Sequence, residues 1–262
     1  MAGRSRRPES LGPPIALTRA TFKENALLSG LNDAGVTDVL ENGRLITLTT
    51  PQQIYEAGCE IHEVFFPVDS VLSVVTQMRD GGSIEVGTVG REGVSAIPLL
   101  LGATTSANES YCQVPGRAVV ISSDHFRGLL SAGNDQFRTV LNRFLQAYVN
   151  MLGQLAACNG KHSIYERCAR WLLLTHDRVN SDKIDLSHQY LAMMLGSAAL
   201  RRYNRFGGSP ASWFHSIHLR PHSYSQSIGF RAGLMRVLRR CSRAVWTATG
   251  WNELSTSGKL LR

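Results

Sequence analysis

The chain has five cysteines, Cys59, Cys112, Cys158, Cys168 and Cys241, and no Cys-x-x-Cys spacing. An odd, scattered set argues against a disulfide framework, a zinc site or an iron–sulfur cluster, and reads as isolated thiols in a reducing cytoplasm. No apolar run approaches the roughly 18 residues that a membrane helix needs. Residues 1–20 carry early arginines without a sustained apolar stretch, so they read as a mobile leader rather than a secretion signal. Catalytic signatures are missing too. There is no Gly-x-Ser-x-Gly, P-loop, His-Glu-x-x-His or paired-carboxylate cluster, so no enzyme is expected.

Acidic residues nearly vanish after Gly196. From Ser197 onward eleven Lys/Arg face one Asp/Glu, a charge of +10, while the preceding residues sum to −2 and the whole chain to +8. The basic character therefore belongs to the last quarter. Such a segment suits nucleic acid or an anionic surface. The whole chain of 262 residues is 43% hydrophobic and 18% charged, enough for two domains of a soluble protein.

Helical spacing runs from about 21 to 43 and stops at Gly43. Seven short segments rich in Val, Ile and Tyr follow: "RLITLT", "QIYEAG", "EVFFPV", "SVLSVVTQM", "SIEVGTVG", "YCQV" and "RAVVIS". Turn residues in "AGCE", "RDGGS" and "VPG" separate them, the pattern of an all-β jelly roll or barrel. A helix opens at Ser123-Asp124. A longer one, about 134–158, carries Phe137, Leu141, Phe144, Tyr148, Met151 and Leu155 at spacings of 4, 3, 4, 3, 4. That seam predicts a partner helix, hence a homodimer; the alternative is packing on the chain's own β domain. Another helix is predicted over "SIYERCARWLLLTHDRV". After an extended "IDL", Ser187 caps "HQYLAMML", which ends at Gly196.

"HSIYERCARWLLLTHDRV" followed by "IDLSHQYLAMMLG" resembles the C-terminal domain of the Crp/Fnr transcription regulators. "VGREGVSAIPLLLG" resembles the hairpin and short helix of that family's sensor domain. The resemblance covers about 27–196. It implies an α+β chain: an N-terminal β jelly roll of the cyclic-nucleotide-binding type (21–130), a dimerisation helix (134–158) and an all-α helix-turn-helix domain (161–206), truncated here. It also implies a DNA partner, a cytoplasmic location and RNA polymerase as a further partner.

The resemblance stops where the charge shifts. The family's recognition helix and β-wing are replaced by "SAALRRYNRFGGSPASWFHSIHLRPHSYSQSIGF", where Gly207, Gly208 and Pro210 end any helix. Three of the four tryptophans lie in this tail. Codons exist for the tail whose reading one nucleotide later restores a family-like recognition helix, wing and final helix. A one-nucleotide insertion near Gly196–Ser197 is the expected cause, the alternative being a native tail of unusual design, and 207–262 is expected to be poorly ordered.

Candidate sites follow from the resemblance. Cyclic-nucleotide members hold the phosphate with a Gly-Glu turn, a short helix and an arginine. Gly90, Glu92 and Gly93 match the turn and residues 96–101 the helix. Asn108 stands nearest the place of the arginine, and Arg117 lies one strand on. The missing cation argues against cyclic AMP or GMP and leaves the signal unnamed. The family's iron–sulfur members carry N-terminal cysteines, and here the first is Cys59. Haem would need an axial ligand such as His62 or Cys59. A lone loop histidine reads rather as a surface residue, and no metal site is expected. For DNA, Ser187, His188 and Gln189 match phosphate-touching positions, and Arg201 and Arg202 fall near the second helix. The expected function is a dimeric regulator with impaired sequence reading. The alternative is a sensor or dimerisation module whose basic tail binds nucleic acid or anionic surfaces without sequence preference.

Overall fold

The computed structural model describes residues 15–79, 81–131, 135–162, 164–179, 183–184 and 217–218. Seven antiparallel strands build two facing sheets. β1 (Arg44–Leu48), β7 (Gly116–Ser122) and β3 (Glu63–Pro67) form one, in the order β1-β7-β3. β2 (Gln52–Tyr55), β6 (Glu109–Val114), β4 (Val71–Gln77) and β5 (Ser83–Val89) form the other, in the order β2-β6-β4-β5. Each strand falls on one of the seven segments legible in the sequence. Phe65, Phe66, Leu48, Leu72 and Ile121 are fully buried, with Phe66 turned toward Phe126 of the helical layer, and this apolar payload drives closure of the fold. The β4–β5 turn needs a backbone at φ +77°, which Gly81 supplies without steric cost.

The first helical stretch is not continuous. It divides into α1 (Arg19–Phe22), a 3-10 turn (Leu28–Gly30) and α2 (Asp33–Asn42). Asn25 is the cause. Its buried side-chain oxygen accepts from the Leu27 and Leu28 amides at 3.0 and 3.2 Å, an Asx turn that competes with helix. Its amide nitrogen donates to the Pro67 and Gly93 carbonyls at 2.8 and 3.0 Å. Asn32 then caps α2 by accepting from the Gly35 amide. The end of the expected leader is anchored as well, since the Ile15 amide donates to Leu45 O at 2.8 Å.

After α3 (Ile97–Leu100) and α4 (Ser123–Ser131) comes the long helix α5 (Asp135–Lys161). Phe137, Leu141, Phe144, Tyr148 and Met151 are buried within this one chain, in the same core cluster as the sheet residues. Their assignment to a dimer seam is therefore corrected. The stripe packs on the chain's own β domain, because α5 crosses β5 where Gly87 and Gly93 leave room for its rings. Cβ atoms there would lie 2.3 Å from the Tyr148 hydroxyl and 2.4 Å from Phe144. Leu155, the sixth of the stripe, is half-buried. α6 (Ile164–His176) folds back onto the same sheet, with Trp171 and Leu172 buried. A two-residue pairing of β8 (Lys183–Ile184) with β9 (Ile217–His218) completes the described elements. No helix among the described residues is long and apolar enough to cross a membrane.

Candidate functional site

Gly90, Glu92 and Gly93 do form a tight turn after β5, with the Gly93 amide bonded to Gly90 O at 2.9 Å. A residue outside the β domain occupies it. Arg178, just past α6, donates through Nε to Glu92 Oε1 at 2.8 Å, and its Nη2 lies 2.7 Å from the same oxygen. Nη1 donates to Thr88 Oγ1 at 2.7 Å. A Cβ on Gly90 would sit 2.5 Å from Arg178 Cδ, so the glycine makes room for the arginine stem. A guanidinium held by a carboxylate and a hydroxyl is a strong, directional pair.

The remaining candidates do not converge there. Asn108 accepts from the Thr76 hydroxyl at 2.6 Å, at the far end of the β4–β5 ladder. Seven strand residues separate the two ends, about 20 Å. Arg117 is tied to Asp69 and Glu24, each at 2.8 Å. The helix read over 96–101 is a single turn, α3, with Pro98 in its first positions. Asn108 therefore does not stand in for the missing arginine at the turn. Cys59 Sγ contacts Glu56 at 3.6 Å, and His62 is exposed. Among the described residues no three His, Cys, Asp or Glu side chains are grouped to hold a metal ion. Ser187, His188, Gln189, Arg201 and Arg202 lie outside the described residues, as does Cys241.

Sequence reasoning missed a buried polar cluster among the described residues. Glu85 points inward from the middle of β5 and is 6% exposed. Its Oε1 accepts from the indole Nε1 of Trp171 at 2.9 Å, and its Oε2 lies 2.7 Å from Ser73 Oγ on β4. Ser73 Oγ is also 2.7 Å from Gln113 Oε1 on β6. Gln113 Nε2 donates to Thr175 Oγ1 at 3.2 Å, and the Thr175 hydroxyl donates to Trp171 O at 2.9 Å. Burial pushes the Glu85 carboxyl up to about 8, against the opposing pull of Ser73, Trp171, Arg178 and Arg170. A signal was present. Alternation along "SIEVGTV" puts Glu85 on the same face as Gly87 and Val89, the inward one.

The cluster borders a small cavity lined by Gly87, Thr88, Met151, Gln154, Arg170 and Leu174. Its free space is about 30 Å³, on the scale of one or two waters and far too small for a nucleotide. Arg170 Nε is buried there without a hydrogen-bond partner. α6 and the residues just after it are tied to this sheet through Trp171, Thr175 and Arg178.

No family model matches the sequence, and no curated protein does. Solved structures do match. FixK2 from Bradyrhizobium japonicum superposes with a TM-score of 0.52 at 14% identity, over 75% of this chain and 96% of that one. CLP from Xanthomonas campestris, a c-di-GMP-responsive global regulator, gives 0.52 at 14%, over 66% and 89%. A transcriptional regulator of the Crp/Fnr family from Eubacterium rectale gives 0.51 at 16%, over 70% and 87%. The jelly roll, the long helix laid across it and the helix that follows are thus those of the Crp/Fnr fold.

Proposed function

We propose that the chain is a cytoplasmic, dimeric transcription regulator of the Crp/Fnr type, with α6 opening its DNA-reading half and sequence-specific reading impaired. The observation that carries this reading is the extent of the structural match. It runs over 75% of this chain and 96% of FixK2, so it reaches past the β domain. DNA and a second copy of the chain are the partners this implies, and RNA polymerase is a further one. A two-fold pair of readers would meet two half-sites.

The dimer face belongs on the outward side of α5. There Leu145, Val149 and Ala156 are half-buried or exposed, Val149 at 54%. Their spacing of 4 and 7 makes an apolar stripe beside the inward one. The signal is neither cyclic AMP nor cyclic GMP on this reading. The Gly90–Glu92 turn holds Arg178, and Asn108, the residue nearest in sequence to the place of the family's arginine, lies at the far end of the β4–β5 ladder.

The test is fluorescence anisotropy of the full chain with duplex pools, over a salt series. Weak binding that falls steeply with salt and ignores sequence is expected. A second chain, carrying the next-frame translation after Gly196, should select a palindrome. Tight selection of one palindrome by the unaltered chain would overturn the impairment. Failure of the restored chain to select any sequence would overturn the regulator reading and favour a sensor module with a basic tail.

A further inference from the structure

The hydrogen bonds around Glu85 fix the position of a proton. Ser73 Oγ lies 2.7 Å from two acceptor atoms, Glu85 Oε2 and Gln113 Oε1, yet a hydroxyl carries one proton. If Glu85 is a neutral acid, its Oε2–H donates to Ser73 Oγ and the Ser73 hydroxyl donates to Gln113 Oε1. Gln113 Nε2 donates to Thr175, Thr175 to Trp171 O, and the Trp171 indole closes the ring on Glu85 Oε1. Every short contact then has its proton. An ionised Glu85 requires the Gln113 amide to turn over. Thr175 must then serve both Gln113 and Trp171 O with one hydrogen, so one contact is lost.

We propose that this ring is a proton-operated catch: neutral Glu85 holds α6 against β4, β5 and β6, and loss of its proton releases α6 from the sheet. Glu85 is on the β domain, while Trp171 and Thr175 are on α6, so the ring spans the junction, beside the Arg178 contacts with Glu92 and Thr88. The charged and titratable groups facing Glu85 are few. α6 brings Arg170, the segment after it brings Arg178, and α5 brings the Tyr148 phenol. Ser73 and Gln113 from β4 and β6 are uncharged. Both arginines favour the ionised form, and burial outweighs them.

The sign follows from linkage. The carboxyl binds its proton more tightly when α6 is docked, up to about 8, than when released and solvated, near 4.5. Docking is therefore strongest below the lower value. It weakens as pH rises between the two and changes no further above about 8. An opening constant limited by this one proton rises about tenfold per pH unit in that window.

The catch is independent of whether α6 leads into a working reader. It rests on the regulator reading only for what its release would do to DNA binding. The experiment is hydrogen–deuterium exchange of the full chain, corrected for intrinsic rates, from about pH 6 to about pH 9. In the unaltered chain the opening constant of α6 should rise about 50-fold between about pH 6 and about pH 8 and level off near about 100-fold by about pH 9. In Glu85→Gln, whose amide also donates to Ser73 and accepts from Trp171, it should stay within about threefold. Parallel pH dependence in the two chains, or none in either, overturns the proposal. If Glu85→Gln does not fold, the infrared carbonyl band of a protonated buried carboxyl decides in the unaltered chain. It should be present near pH 6 and gone near pH 9, and its absence near pH 6 overturns the catch. Loss of DNA binding leaves all of these readouts unchanged, so the two readings fail separately.

Discussion

The Tyr148 hydroxyl stands where the side chain of residue 87 would begin: a Cβ on Gly87 would lie 2.3 Å from its oxygen and 3.0 Å from the ring carbon bearing it. The long helix and the edge strand of the sheet meet at that point, and nothing larger than hydrogen fits between them. Gly87→Ala should therefore push α5 outward and cost about 2 kcal/mol of stability. Urea unfolding of the two chains measures it. Equal midpoints would mean that Tyr148 can swing aside.

The inward and outward stripes of α5 should separate under mutation. Phe137→Ala removes a ring with no exposed surface and should cost about 3–5 kcal/mol, lowering Tm whatever the oligomeric state. Val149→Arg, on the exposed face, should leave Tm of the monomer nearly unchanged and shift sedimentation toward a monomer. A Val149→Arg chain that sediments as the unaltered one would place any dimer contact elsewhere.

Arg178 and Glu92 should behave as a coupled pair. Arg178 is 11% exposed at its side chain and Glu92 29%, so losing either partner leaves a largely desolvated group behind. Arg178→Ala or Glu92→Ala should each weaken the anchoring of the α6 end by about 2 kcal/mol. The double substitution should cost little more than either alone. Exchange rates at the end of α6 provide the measurement, and strict additivity would show that the two groups act independently.

Asn25 is the fourth test. It makes two donor and two acceptor contacts to main chain that is 42 and 68 residues away or immediately adjacent. Asn25→Ala strands buried Pro67 and Gly93 carbonyls and should cost about 3 kcal/mol, measured by chemical denaturation. Asn25→Asp should be nearly as damaging, because a carboxylate cannot donate to those carbonyls.

The β domain was legible because strand patterning and turn residues are local signals. All seven strands fall on runs such as "EVFFPV" and "SVLSVVTQM". The N-terminal helix was read as one piece because Asn25 breaks it through contacts with Pro67 and Gly93, which periodicity does not encode. The α5 stripe was recognised as a seam, but a heptad pattern says only that a face is buried. Whether a second chain or the chain's own sheet buries it depends on glycines at 87 and 93. The Gly90–Glu92 turn was placed by resemblance, whereas its occupant, Arg178, comes from 86 residues further on. Glu85 was passed over although its alternation with Gly87 and Val89 marks it as inward-facing, because no motif pairs a strand carboxyl with a distant indole.

The strand order β2-β6-β4-β5 puts β5 at the rim of its sheet, laddered to β4 alone. Glu85, Thr88 and the Gly90–Glu92 turn, which take hold of Trp171 and Arg178, all lie on or just beyond that rim strand. A force applied to α6 is thus delivered largely to a strand fastened on one side only, through a ladder that is irregular between Val74 and Val75, with the Gln113–Thr175 bond as a second route into β6. None of these contacts falls on the opposite sheet, β1-β7-β3.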